Sequence, residues 1–401
     1  MNIVYFSSSC SDEKFDILQR TGMTRKIPQA QKYHKLLMEG LVQNIDGQMV
    51  AFSAIPVNRR WTKQVLFPRE EEMVNGIRYI YGAFLNFPIL RQISLYADAV
   101  RSIKKIIDKE NTVFICDILN QSIANAARRL GKRMGFPVLG IVTDVPGCTS
   151  GARRKTLSFV QKLISRYAER KAKKTMAQYD AYLFLTEAMN SIVNVHHKPY
   201  IVVEGHADVQ MGQSENSLQS KENPKVMMYA GGIHKEFGIQ RLANAFVNAN
   251  IPNWEFHIYG DGNYQDELKE LVKVQTNVKY FGTQPNAIVV EKQQKASLLV
   301  NPRLTDAEYV KYSFPSKTLE CMVSGTPLLT TNLPGMPTSY HEYVYLFGEE
   351  TEEAFQSVLK QVLSLDENVL HEQGKKAKRY ALEHKNNVSQ AKKLYEFMKS
   401  L

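Results

Sequence analysis

The chain has 401 residues, 44% of them hydrophobic, and a formal net charge of +11. That length suits two domains, each able to bury its own core. No run of about 18 apolar residues occurs, which excludes a membrane-crossing helix.

In chain order, apolar runs alternate with helical patterns. Residues 2–7, 48–54, 112–116, 138–143, 181–185 and 200–203 read as strands, with helices expected over 30–44, 95–109 and 121–135. Met1 leads straight into the first strand without a basic leader, so no signal peptide is expected. Residues 208–224 are polar and aperiodic and read as a linker or exposed loop. The alternation then restarts, with strands at 225–229, 254–259, 278–281, 296–302 and 326–331. Helices are expected between them and, at the end, over 352–364, 369–384 and 388–399. Such βα alternation predicts two doubly wound, mostly parallel sheets of Rossmann-like type, with a cleft between two sets of strand C-termini. The expected domains are 1–207 and 208–385, with the helix in 386–401 packing back toward the first.

Cys10, Cys116, Cys148 and Cys321 are widely spaced, with no CxxC or Cys/His cluster. Reduced thiols in a cytosolic protein, and no structural zinc, are expected. Charge is uneven. Residues 1–200 hold 30 Lys and Arg against 16 Asp and Glu, whereas residues 201–401 hold 21 against 24. The basic half therefore calls for an anionic partner. Its cations concentrate in 152–177, where Arg153, Arg154, Lys155, Lys162, Arg166, Arg170 and Lys171 surround an apolar stripe at helical spacing. A basic amphipathic helix suits an anionic membrane surface; the reading is a blend in which the stripe packs on the domain core and the charges face the membrane, the alternative being charges that are merely solvated. No helix-turn-helix, finger or aromatic-interleaved motif accompanies the charge, so nucleic acid is not the expected partner.

The most informative stretch is 309–335, YVKYSFPSKTLECMVSGTPLLTTNLPG. Ser313 or Ser316 can cap a helix whose first turn tolerates Pro315, and Gly325 is its natural stop. Lys317 and Glu320, three apart, share one face at the helix start. Orphan N–H groups there suit phosphate oxygens, the lysine adds a full charge, and the carboxylate can accept from a ribose diol. The same spacing also fits a solvated Lys–Glu pair. Earlier, YAGGIHKEFG places Gly231, Gly232 and Lys235 after a strand, and IYGDG places Gly260 and Asp261 after the next. Each alone can be an ordinary tight turn. Arg303, past another strand end, is a candidate phosphate clamp.

The order YAGG…G, IYGDG…EL, FG, NPR…FPSK..E…SGTP resembles the C-terminal domain of retaining GT-B glycosyltransferases of family 4. The likeness is strong over 225–335 and architectural elsewhere. It implies an acceptor-binding N-terminal domain and a C-terminal domain that binds a nucleotide sugar such as a UDP- or GDP-sugar. Glu320 then matches the second glutamate of the family's E-x7-E pattern, which holds the ribose. Gly231 and Gly232 face the diphosphate, with Lys235, Gly260, Asp261, Phe314, Ser316 and Lys317 as further donor contacts. The sequence departs from the pattern: Tyr312 stands for the first glutamate, Gly232 for a common arginine, and Phe237 for a common lysine. Replacement charge is expected from Lys235, Arg303 and Lys317.

The FPSK.LE form resembles a bacterial surface-polysaccharide subgroup. This implies hexosyl transfer with retention, without metal or cofactor, to an acceptor such as a lipid-linked saccharide. The expected location is cytoplasmic and peripheral on the inner face of the plasma membrane. Asp144, after a first-half strand, sits where many relatives carry a His-Asp pair; it could orient the acceptor or merely cap a turn. With Lys317 and Arg303 it completes the expected catalytic set. Residues 21–26 could form an acceptor loop, His34 reads as a helix-surface residue, and His206 could face the cleft. Another nucleotide-sugar enzyme of this fold, such as an epimerase or soluble glycoside synthase, or a non-catalytic binding relative, fits the same donor-site residues.

Overall fold

The computed structural model describes residues 1–24, 28–106, 111–145, 170, 172, 174–213 and 215–401. The chain divides into two units, Met1–His206 with Asn387–Leu401, and Ala207–Asn386.

The first unit is built on a sheet of eight strands among the described residues. These are β1 (Asn2–Ser7), β2 (Met49–Ser53), β4 (Glu70–Val74), β5 (Ile77–Tyr81), β7 (Thr112–Asp117), β8 (Val138–Val142), β9 (Ala181–Phe184) and β10 (Tyr200–Val202). Their order is β10-β9-β8-β7-β1-β2-β5-β4, parallel except for the edge pair β4–β5. Two short strands, β3 (Leu66–Phe67) and β6 (Phe84–Leu85), pair separately. β2, β7 and β8 are buried at every residue, because a parallel sheet covered on both faces demands continuous apolar runs. Helices α1 (Asp12–Arg20), α2 (Pro28–Val42), α3 (Pro88–Ile103) and α4 (Gln121–Met134) connect the strands, followed by α5 (Ala188–Val193). The helix Asn387–Lys399 packs on α2, where Asn387 Nδ2 donates to Leu36 O at 3.2 Å.

The β4–β5 hairpin was not expected. Its turn is Asn75-Gly76, both residues with positive φ (49° and 77°), the pair that a two-residue type I′ turn requires. The helix expected over 95–109 begins seven residues earlier, at Pro88, whose fixed φ suits the first helical position. Helix α1 was also missed; Ser11 caps it by accepting from Lys14 N–H.

The second unit is a six-stranded, all-parallel sheet among the described residues, in the order β13-β12-β11-β14-β15-β16. Its strands are β11 (Lys225–Ala230), β12 (Trp254–Tyr259), β13 (Val278–Tyr280), β14 (Leu298–Asn301), β15 (Leu328–Thr331) and β16 (Tyr345–Phe347). Between them run α6 (Ile239–Ala249), α7 (Gln265–Val274), α8 (Asn286–Lys295) and α9 (Ser316–Ser324); α10 (Glu352–Leu363) and α11 (Glu367–His384) follow. The core joins Met227, Phe256, Ile258 and Leu298 of the sheet to Leu242 and Phe246 of α6 and Phe355 and Leu359 of α10.

The stretch 208–224 is not a loose linker. Lys221 Nζ donates to Gln294 O and Ala296 O (both 2.8 Å) and to Thr326 Oγ1 (3.2 Å). Asn216 Nδ2 donates to Ser324 O at 2.7 Å. The polar side chains that made the segment look solvated satisfy backbone carbonyls instead. Burial lowers the Lys221 pKa to about 8. Lys221→Met, which strands those carbonyls, should destabilise this unit by about 1–3 kcal/mol in denaturant unfolding at neutral pH. The folded-state pKa lies below the unfolded one, so the unfolded chain binds more protons between about pH 8 and 10.5. The stability contributed by Lys221 should therefore rise with pH across that window, and the variant should lack this slope.

Candidate functional site

Strand order dictates where a ligand fits. In the second unit the direction of winding reverses between β11 and β14, and open parallel sheets bind ligands outside the strand C-termini at such a switch point. Ala230-Gly231 and Asn301-Pro302-Arg303 are the chain segments leaving those two strands.

Backbone contacts lock the loops around this crevice. Gly231 N–H donates to Tyr259 O (2.9 Å), Ile233 N–H to Asp261 O (3.0 Å) and Tyr264 N–H to Ile233 O (3.0 Å). Gly260 has φ of +135°, and a Cβ there would lie 1.8 Å from Gly231 O. Only glycine fits, because both the dihedral and the space exclude a side chain. At Gly231 a Cβ would lie 2.2 Å from Lys317 Nζ. This second glycine lets the lysine reach the loop.

Helix α9 supplies the polar groups. Neither Ser313 nor Ser316 caps it. Pro315 occupies the N-cap position without a side-chain hydrogen bond, and Ser316 is exposed as the first helical residue. Thr318 N–H donates to Pro315 O at 2.8 Å, while the Ser316 and Lys317 N–H groups keep the donor capacity that a capping side chain would consume. Lys317 Nζ crosses the switch point to donate to Ala230 O at 2.9 Å. It is not the solvated partner of Glu320: among the described residues no ion pair joins the two. Burial lowers the Lys317 pKa, an effect opposed by the field of Cys321 and Glu320 and reinforced by that of Arg303. The Arg303 guanidinium lies over the rings of Phe237 (5.3 Å) and Tyr309 (5.4 Å). Its Nε is buried and has no acceptor among the described residues, which leaves a donor for a ligand. The arrangement offers two cations, uncommitted helix N–H groups and a carboxylate one turn along α9. These are the groups that an esterified diphosphate and a vicinal diol require.

Other expected donor residues lie differently. Lys235 is exposed and ion-paired with Glu267 at 2.5 Å, so it is spent on a surface bridge. Phe314 is buried, with its ring 5.7 Å from that of Tyr340; core packing claims it, and it offers no ring to a donor. Gly232 O accepts from Tyr229 Oη at 2.7 Å, which fixes the turn. Asp261 holds the loop through its carbonyl, with its residue exposed. Tyr312 ends a 3-10 turn, Glu308–Tyr312, that leads into α9. Phe237, in place of a common lysine, carries Arg303 on its ring face, a compensation that sequence spacing alone does not reveal.

In the first unit the winding reverses between β1 and β7. The crevice there opens at Ser7 and Asp117, two residues that sequence reasoning passed over. Asp144 follows β8, one strand away. His34 is not a surface residue. It is buried, with Nδ1 2.7 Å from Tyr5 Oη and Nε2 3.6 Å from Asp117 Oδ2. Residues at i+3, i+4 and i+7 from it (Leu37, Met38, Leu41) are buried too, and this was the available signal. The His206 ring packs tilted against Tyr33, centroids 4.7 Å apart; both its ring nitrogens are buried and have no partner among the described residues, and burial lowers its pKa to about 3. Arg153, Arg154, Lys155, Lys162, Arg166 and Lys171 lie outside the described residues, as do residues 25–27; Arg170 is helical and exposed. Among the described residues, no group of three or more His, Cys, Asp or Glu could hold a metal ion, and no helix is long and apolar enough to cross a membrane.

Residues 211–380 match the family model for Glycosyl transferases group 1. No curated protein matches the sequence. Sucrose-phosphate synthase from Thermosynechococcus elongatus superposes with a TM-score of 0.60 at 13% identity, over 100% of this chain and 98% of that one. Anabaena HepE, solved with UDP-glucose, gives 0.60 at 12% over all of both chains. The lipopolysaccharide outer core galactosyltransferase WaaB, in its apo form, gives 0.60 at 15%, over 100% and 99%. At these identities the likeness is one of fold, and the fold is GT-B, with two Rossmann-like parallel-sheet units.

Proposed function

We propose that this protein is a glycosyltransferase that moves a hexosyl group from a nucleoside-diphosphate sugar to an acceptor. The observation that carries this reading is Lys317 Nζ held at the β11–β14 switch point beside Arg303, with Glu320 one turn along α9. The family match over 211–380 and the binding of UDP-glucose by HepE, a protein of the same fold, support it.

In this reading the diphosphate lies across Gly231 and the start of α9. Lys317 and Arg303 neutralise the charge that grows on the leaving phosphate, which is the largest electrostatic demand of the reaction. Two fixed cations and a helix N-terminus meet that demand without a metal. Glu320 holds the ribose. Configuration is retained, with the departing phosphate taking the acceptor proton. A lipid-linked saccharide of surface-polysaccharide synthesis is the acceptor, bound by the first unit at its β1–β7 crevice with Asp144 nearby along the sheet edge. The protein works at the cytoplasmic face of a membrane, held in part by the cations of 153–171.

Thermal-shift titration with UDP, GDP and their sugars tests the donor assignment, and mass spectrometry of products from a panel of nucleotide sugars tests the transfer. One nucleotide series should raise the melting temperature. Glu320→Ala should weaken that nucleotide by about 10- to 100-fold, the value of charge-assisted hydrogen bonds to a diol. Unchanged affinity in the variant would refute the ribose role.

A further inference from the structure

Sixteen large hydrophobic residues are exposed among those described, and most stand singly, as is normal on a soluble surface. Six do not. Val65, Leu66, Phe87, Ile89, Leu90 and Ile93 gather where the paired strands β3 and β6 meet the start of α3. Asn86 N–H donates to Val65 O at 2.7 Å, and Leu66 pairs opposite Leu85, so the strand pair and the helix start are one piece. Ile89 and Ile93, 74% and 57% exposed, lie four residues apart on the outer face of α3. Leu95, Ala99 and Ile103 form its buried face. A helix this apolar on both faces has a second surface to cover.

Charge identifies the cover. The loop that precedes β3 carries Arg59, Arg60 and Lys63, all exposed. The Arg59 guanidinium lies 5.0 Å from the Phe87 ring centroid and donates to Lys63 O at 2.7 Å, so the cations border the apolar group. Neither 55–69 nor 82–97 contains a single Asp or Glu. The next carboxylates along the chain, Glu70, Glu71, Glu72 and Asp98, are engaged by Lys14, Arg78, Tyr81 and Arg69. Arg91 turns inward to Ile55 O and Val57 O and does not contribute to the rim. On the adjoining helix α4, Arg129, Lys132 and Arg133 are exposed, with Arg129 over the α3 residue Tyr96. An apolar tip bordered by cations, on segments that carry no carboxylate of their own, matches the acyl boundary and the anionic headgroups of a lipid leaflet.

We propose that the paired strands β3 and β6 and the first two turns of α3 form a wedge that inserts into an anionic membrane surface. This deepens the peripheral-membrane part of the reading above and rests on it, but uses a surface other than the basic segment at 153–171. Apolar insertion and headgroup attraction then act together, and two signals are what stable peripheral binding requires.

Trp61, partly exposed in the same loop, is a built-in reporter, because Trp254, the other tryptophan of the chain, is buried with Nε1 donating to Leu363 O. The full chain should float with phosphatidylcholine vesicles that contain phosphatidylglycerol, and the Trp61 emission should shift to the blue. Leu66→Ser/Ile89→Ser/Ile93→Ser should lower the vesicle partition coefficient at least about tenfold and abolish the shift. Arg59→Gln/Arg60→Gln/Lys63→Gln should lower it about a hundredfold at low salt. Circular dichroism melting would verify that both variants fold. If the serine variant binds like the wild type while Arg153→Gln/Arg154→Gln/Lys155→Gln does not, the wedge is wrong and the basic segment alone holds the membrane. If the wild type does not float, both the wedge and the peripheral reading fall. Concentration-dependent dimerisation lost in the serine variant, with no vesicle binding, would assign the surface to a second copy and overturn the proposal.

Discussion

Lys317→Met should cut sugar transfer by about 10²- to 10³-fold while leaving the protein folded. The side chain keeps its volume, and the structural loss is one hydrogen bond to Ala230 O, worth about 1 kcal/mol. On the proposed function the lysine sits where leaving-group charge develops, and removing one preorganised donor from such a site costs that much in kcat. Burial lowers its pKa, and a bound diphosphate would raise it again. Wild-type activity should therefore fall as pH rises through the depressed pKa, at a lower pH than an ordinary lysine would set, and saturating nucleotide sugar should move that limit upward. Steady-state kinetics across pH with the wild type, and at one pH with the variant, would measure both effects. Equal kcat in the two proteins would remove Lys317 from the reaction.

Gly260→Ala should be the most damaging single-methyl change in the second unit. The added carbon would lie 1.8 Å from Gly231 O, a backbone atom held by the Gly231–Tyr259 bond. It would also force an L-residue to φ of +135°. Dihedral strain alone costs about 1–3 kcal/mol, and the clash displaces the loop that Lys317 reaches. Denaturant unfolding should show about 3 kcal/mol or more of destabilisation, and nucleotide binding should be lost even where the fold survives. Gly282, with positive φ but open space around its Cβ position, serves as a control: alanine there meets strain without the clash. Equal losses at the two positions would show that the dihedral, and not contact with Gly231, sets the effect.

The parallel sheets were legible because their strands are buried on both faces. VYF in β1 and MMY in β11 read as strands whatever surrounds them. That the loops after β11 and β12 and the start of α9 gather at one end of the sheet was legible because glycine and lysine have few reasons to follow strand ends in that order. What stayed hidden depended on partners distant in sequence. Lys221 looks like a linker lysine until Gln294, Ala296 and Thr326 are brought around it. Lys235 looks like a phosphate ligand until Glu267 pairs with it, and Arg303 gains its place only from Phe237 and Tyr309. His34 was misread for a different reason: Lys32 and Lys35 beside it suggested an exposed face, while the buried face ran through the histidine. The Asn75-Gly76 hairpin was a plain local signal that the expectation of βα alternation obscured.

The chain enters the second unit at Ala207 and leaves it at Asn386, and these two residues form a parallel bridge, with Ala207 N–H donating to Lys385 O at 2.7 Å. The ends of this 180-residue unit are thus side by side. Topologically it is a cassette inserted near the end of the first unit, and insertion is tolerated when entry and exit coincide. Host and cassette can each change without either redrawing the other's connections. Recombination at this one paired crossing would exchange the whole 207–386 unit in a single event.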